Sequence, residues 1–135
     1  MAKPESALWD YLRGVLPLGG HYSRIESDTS PGIPDIHYCI QSITGFIELK
    51  ISRDAPFGDQ GLRKSQRDWM EEQASQGGRF WILAQVGAYC FLLEGPRHWQ
   101  KFNQMNLKSL ARNCAYSWIR PFESPTADLK TILTR

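Results

Sequence analysis

Cysteine is scarce in this chain and is not arranged to staple it. Cys39, Cys90 and Cys114 are an odd number with no Cys-X-X-Cys, which argues against a disulfide framework and against a zinc site. Cys39 and Cys90 stand in strand-like runs and read as small core residues. The histidines, His21, His37 and His98, show no metal-ligand spacing such as His-Glu-X-X-His. No apolar run approaches the length of a transmembrane helix. The segment Met1-Ala2-Lys3-Pro4-Glu5 lacks the apolar stretch of a signal peptide. The expectation is a cytosolic protein with no membrane partner. Internal repeats, low-complexity segments and a domain boundary are also missing, so the 135 residues are expected to form one domain around one core.

What is present is an ordinary globular composition, 41% hydrophobic and 22% charged, with an uneven distribution of charge. Residues 1–60 carry five Lys/Arg against eight Asp/Glu, and residues 61–135 carry eleven against six. An acidic first half with a basic second half suits an enzyme that holds a cation while binding a phosphate backbone.

The stretch from Ser30 to Ile51 carries the most chemistry. Ser-Pro-Gly-Ile-Pro-Asp leads into an alternating run in which Ile36, Tyr38 and Ile40 interleave with Asp35, His37 and Cys39. Pro34 suits a strand's first position, because it has no donor for the ladder. A second run ends Ile47-Glu48-Leu49-Lys50-Ile51. Its alternation puts Phe46, Glu48 and Lys50 on one face, and Ile47, Leu49 and Ile51 on a core face. Residues 41–45 have a length suited to a hairpin loop. An antiparallel return would then make Asp35 and Glu48 neighbours. A Glu-X-Lys on a strand is most often a solvated face. The preceding Gly32-Ile33-Pro34-Asp35 and the apolar run around Glu48 sharpen the case, since an ionised carboxylate there needs a partner or a metal. Two carboxylates and an ammonium at one point of a sheet are the tools of Mg²⁺-assisted phosphodiester hydrolysis. His37 shares the face of Asp35 and falls near this point.

The remaining pattern frames that site. Pro4 to Arg13 predicts a helix with Ala7, Leu8, Tyr11 and Leu12 as its apolar stripe. Gly19-Gly20 breaks the chain, and His21 to Glu26 reads as a short strand. Asp54 to Gly61, rich in Gly, Pro and Asp, reads as a mobile loop. Leu62 to Gln76 predicts a helix ended by Gly77-Gly78. Gln66 falls on its inward face beside Leu62, Trp69, Met70 and Gln73, either as a boundary residue or aimed at the site. Arg63, Lys64 and Arg67 lie in its first turns, where they meet a phosphate backbone or are simply solvated. Arg79 to Val86 and Ala88 to Leu93 read as two strands, the first apolar enough to be central. Trp99, Phe102, Leu107 and Leu110 are assigned to short covering helices, and Thr126 to Leu133 to a last one. The order α, β, β, β, α, β, β predicts an α/β fold with a mixed central β-sheet flanked by helices. Its core spans about residues 5–93, under a helical covering at about 96–135.

On these residues the chain resembles the PD-(D/E)XK nuclease superfamily. Within it, the chain is similar to stand-alone VRR-NUC and archaeal-type Holliday junction resolvases, often carried by phages or prophages. The resemblance covers about residues 5–93. It rests on Glu5 in an N-terminal helix, Gly32-Ile33-Pro34-Asp35, Glu48-Leu49-Lys50, and a helix bearing Gln66 that leads through Gly77-Gly78 into a hydrophobic strand. It implies a restriction-endonuclease-like core and catalytic roles for Glu5, Asp35, Glu48, Lys50 and Gln66. Asp35, Glu48 and the Leu49 carbonyl would bind Mg²⁺, with Mn²⁺ as substitute. Glu5 would complete the shell, with Glu26 as its rival. Lys50 would orient water and offset transition-state charge, while Arg24 and Ser30 would contact the scissile strand. The implied partners are four-way or other branched DNA and a second copy in a homodimer, in the host cytoplasm if the gene is a phage's. Trp99, Phe102, Tyr116 and Trp118 are candidates for that interface or for core. A nuclease for linear duplex, flap or nicked DNA and a non-catalytic DNA-binding module are the alternatives.

Overall fold

A computed structural model describes residues 4–26 and 31–135. Helix α1 (Pro4–Val15) leads into strands β1 (His21–Arg24), β2 (Ile36–Ile40) and β3 (Ile43–Ser52). Helix α2 (Lys64–Ser75) crosses to β4 (Phe80–Val86), which β5 (Tyr89–Glu94) follows. Then come α3 (Gly95–His98), α4 (Leu107–Asn113), β6 (Tyr116–Ile119) and α5 (Thr126–Leu133). The strands make one six-stranded sheet in sequence order, antiparallel except where β3 runs parallel to β4. The parallel pair needs a crossover, and α2 is that crossover. The fold is a mixed sheet flanked by helices, as its sequence predicts.

Two apolar layers form on the two faces of the sheet. Leu8 and Leu12 recur at helical spacing on α1, with Leu16 just past its end, and pack with Ile36, Tyr38, Ile47, Leu49, Leu83 and the α5 residues Leu129 and Leu133. On the opposite face, Met70 of α2, Phe102 and Leu110 pack with Phe80, Ile82, Ala84 and Leu93. Every residue of β4 is buried, which explains its unbroken apolarity. Trp81 Nε1 donates to the Tyr38 hydroxyl at 2.9 Å, and that hydroxyl donates to the Leu133 carbonyl at 3.0 Å. The polar ends of two buried aromatic side chains thereby tie α5 to the sheet.

Several expectations are corrected. The hairpin loop is two residues, not five. Gln41 and Ser42 both take positive φ, 51° and 68°, and Ile43, Thr44 and Gly45 are already in β3. A tight turn of this hand normally announces itself with Asn-Gly, and nothing in Gln-Ser does. The C-terminal covering is not wholly helical, because Tyr116–Ile119 adds a sixth strand against β5. Its four residues are too few to show a period. Phe102 (0% exposed) and Trp118 (2%) are core, so neither is available to an interface. The segment Asp54 to Gly61 contains a 3₁₀ turn, Gly58–Gln60. Its Phe57 is buried 5.0 Å from the Phe102 ring, and Asn103 bonds both the Leu62 N–H and carbonyl. These contacts anchor a loop whose composition alone suggests mobility.

Candidate active site

The site arises from a mismatch in strand length. β2 pairs with β3 only as far as Ile36 opposite Ile47, whereas β3 pairs with β4 on to Ser52. Past Ile47, the β3 edge facing β2 has no strand beside it among the described residues. Asp35, one residue before β2, fills the gap: its Oδ2 accepts the Leu49 N–H at 2.9 Å. The N–H and C=O of one strand residue point to the same edge, so the Leu49 carbonyl opens onto the same gap. Asp35 is tied in turn to the chain after β1, because its carbonyl accepts the Ile25 N–H at 2.7 Å.

Glu48 and Lys50 lie on the α2 side of β3 and are almost wholly buried, at 1% and 6% exposure. Gln66, 5% exposed, meets both from α2. Its Nε2 donates to Glu48 Oε2 at 2.8 Å, and its Oε1 accepts from Lys50 Nζ at 3.1 Å. Lys50 Nζ also lies 3.7 Å from Glu48 Oε2. The same Gln66 oxygen accepts the Arg63 N–H at 2.9 Å. Arg63 is the N-cap of α2 rather than part of its first turn, and Gln66 at the third helical position reaches back to it as in a capping box. One amide therefore closes a helix end and fixes two charges. Its orientation is dictated, since the reverse would turn its donors toward an ammonium and an N–H.

Gly32 brings the two halves together. Its φ is +98°, and a Cβ there would run into the Ser65 carbonyl in the first turn of α2. Only glycine allows that approach without strain. Gly32→Ala is expected to cost roughly 2–3 kcal/mol, read as a fall in melting temperature. An unchanged melting temperature would show that this loop does not need to dock on α2.

Glu5, Arg24, Asp35, Glu48, Lys50, Arg63 and Gln66 line one cavity of about 150 Å³. Larger depressions lie elsewhere, of about 410 Å³ beside Arg79 and Arg135 and about 530 Å³ beside Tyr89 and Leu107, but neither has paired carboxylates. All the side chains expected to be catalytic thus share one cavity, and Glu5 rather than the exposed Glu26 is among them. Arg24 and Arg63 join them. Lys64 is exposed and paired with Asp68 at 2.7 Å, and neither it nor Arg67 lines the cavity. Ser30 lies outside the described residues. Strand alternation puts His37 and Phe46 on the faces of the carboxylates, but it gives no sign that they join Trp69 in one aromatic row.

The electrostatics are those of a crowded acidic pair. Burial pushes the Asp35 carboxyl up from its ordinary value, opposed by the Leu49 N–H and by the Arg24 and Lys50 charges. Glu48 is held well above the usual carboxylate range, first by burial and then by the Asp35 charge, with Lys50 and Arg63 pulling the other way. Glu48 Oε1 is buried with no hydrogen-bond partner among the described residues. An orphaned carboxylate oxygen beside a second carboxylate and a strand-edge carbonyl is a hard-oxygen donor set that fits Mg²⁺ or Mn²⁺. Among the described residues, no three His, Cys, Asp or Glu side chains are gathered closely enough to hold an ion by themselves. Mg²⁺ commonly binds through one or two carboxylates, with water and substrate phosphate completing its shell.

No family model matches the chain, and no curated protein matches it. Among solved structures it is similar to Hjc from Archaeoglobus fulgidus, a Holliday junction resolvase from an archaeal hyperthermophile. That likeness has a TM-score of 0.48 and 18% sequence identity, and covers 67% of this chain and 74% of that one. A likeness of that size leaves the function to the chemistry of the site itself.

Proposed function

We propose that this chain is a divalent-metal-dependent endonuclease that hydrolyses phosphodiester bonds in branched DNA, four-way junctions above all, as a homodimer. The single observation that supports it is the cavity shared by Asp35, Glu48, Lys50 and Gln66, with Glu5, Arg24 and Arg63 at its walls. A binding module has no use for a buried carboxylate pair that is costly to ionise. The junction as substrate is supported by the order of motifs from Glu5 to the strand after Gly77-Gly78. A two-fold dimer follows from that substrate, since two symmetric strands must be cut.

Asp35, Glu48 and the Leu49 carbonyl would hold Mg²⁺ or Mn²⁺, with Glu5 as a further carboxylate at the same cavity. When bound there, such an ion would supply Lewis-acid stabilisation of phosphoryl oxygens and a more acidic water. Gln66 holds the Lys50 ammonium beside Glu48, so its charge is in place before the reaction begins. Lys50 orients the attacking water and offsets negative charge as water adds to phosphorus and the bond to the leaving oxygen breaks. Arg24 and Arg63 bring two more positive charges to the walls of the cavity, where they would draw in a scissile phosphate.

An end-labelled four-way junction and a linear duplex of matching sequence, each incubated with Mg²⁺, Mn²⁺ or EDTA, test this. Paired symmetric cuts in the junction alone, lost in EDTA, are expected. Equal cutting of both substrates would keep the nuclease and remove the junction preference. Binding without cleavage in either metal would leave a DNA-binding module.

A further inference from the structure

Among the described residues, the sheet face beside the cavity is open where the opposite face is closed. On β2, Ile36, Tyr38 and Ile40 are buried under α1 and α5, while His37 and Cys39 on the other face are half-buried. No residue of β1 or β2 belongs to the apolar layer that α2 makes with the sheet. His37 stands opposite Phe46, and Ser23 of β1 stands opposite His37. This is the next same-face pair along the ladder from Asp35 and Glu48, roughly 7 Å away at two residues per step.

His37 ends an aromatic row. Its ring lies 5.1 Å from Phe46 at 63°, Phe46 lies 5.1 Å from Trp69 at 75°, and Trp69 lies 5.8 Å from Phe80 at 75°. All three contacts are edge-to-face, so the rings fix one another's orientation along the row. The row is rooted in core at Phe80 and reaches the half-open face at His37, with Phe46 and Trp69 half-buried between. Its surroundings are polar or small: Ser23, Cys39 and the exposed Thr44 and His21. A protein interface of lasting stability has an apolar centre and a polar rim, whereas here the half-buried His37 imidazole sits among polar groups, with a second, exposed imidazole, His21, further along the same face. A flat, polar-edged ring is the partner such a surface suits.

We propose that His37, braced by Phe46 and Trp69, is a stacking platform for an unstacked nucleobase adjoining the phosphate that enters the cavity. The inference rests on the nuclease reading and deepens it. A base at a branch point has lost a stacking neighbour, so taking it out of the helix costs less than in uninterrupted duplex. The platform would therefore discriminate branched from linear DNA at a position where no base-specific hydrogen bond is made.

The test uses the full chain in EDTA, which separates binding from cleavage, and a four-way junction carrying 2-aminopurine at the crossover. Wild type is expected to bind and to change the probe's fluorescence. His37→Ala is expected to lose that change and bind roughly 5- to 150-fold more weakly, the range for loss of one base–aromatic stack. His37→Phe should retain both, His37→Leu should not, and the melting temperatures of the three variants report whether the fold survives. An equal response from His37→Ala and wild type would overturn the platform while leaving the nuclease. So would His37→Leu performing as well as His37→Phe, because apolar cover rather than stacking would then suffice. A wild type that binds no junction and cuts none would overturn the nuclease reading itself, and the platform with it.

Discussion

Asp35→Asn and Glu48→Gln are each expected to reduce the proposed metal-dependent DNA cleavage by at least about 10³-fold, an electrostatic effect of about 4 kcal/mol on the barrier. The reason is the donor set. Asp35 is fixed by the Leu49 N–H, and Glu48 presents a buried oxygen with no other partner among the described residues. Removing either charge would take away one of the two carboxylates proposed to hold the ion, leaving only Glu5 and the remaining one at the cavity, and would weaken its grip on a divalent cation. Residues that act as a unit are not additive, so the double variant should be scarcely worse than either single one. Lys50→Met belongs to the same class. Gln66→Ala should cost less, about 10- to 100-fold, as is usual for a group that orients the residues holding a metal. Single-turnover cleavage of a labelled junction measures the four single variants and the double one, with binding in EDTA as the control for folding. Cleavage at the wild-type rate by Asp35→Asn or Glu48→Gln would remove the site assignment.

The second large effect concerns stability and runs opposite to activity. Without a divalent cation, Glu48 holds its proton more tightly in the folded chain than in the unfolded one, because burial and the Asp35 charge raise its pKa. A carboxylate shifted upward contributes stability that is fully present below its unfolded value, near 4.5, and lost as pH rises through the folded value. Glu48→Gln imitates the protonated side chain at every pH. Wild type and variant should therefore melt alike in acid, and the metal-free variant should gain on wild type as pH rises. By pH 8 the gain should reach roughly 1–3 kcal/mol, the usual cost of a buried group left unsatisfied. Mg²⁺ or Mn²⁺ should restore the wild type by binding the folded state and leave the variant almost unmoved. Melting curves between pH 4 and 8 that stay parallel would mean that Glu48 is not destabilised by its surroundings.

Much of the fold and of the site is legible in the amino-acid sequence. Alternation in Ile36–Ile40 and Phe46–Ile51 identifies the strands and their faces, because a strand's period of two is local. The stripe of α1 and the Gly77-Gly78 stop after α2 are local too. Gln66 stands out as a polar residue on an apolar helix face, and it is the amide that joins Glu48, Lys50 and the N-cap of α2. The Gln41-Ser42 turn is not legible, since its left-handed residues are imposed by the hairpin rather than preferred by the side chains. Nor is β6, where four residues become a strand because β5 offers an edge and Trp118 finds the Tyr11 hydroxyl of α1 on the same face.

The order of residues supplies the chemistry: two carboxylates, one ammonium, and helical and strand periods that send each to a known face. Their meeting is the work of tertiary structure. β2 stops at Ile36 while β3 continues, and that difference in length opens the gap into which Asp35 turns. Gly32 pressed on Ser65 sets how far α2 stands from the strands. Glu5 rather than Glu26 lines the cavity because α1 packs across the sheet. Each is a long-range contact whose energy depends on residues far apart in the chain, and no local pattern encodes it.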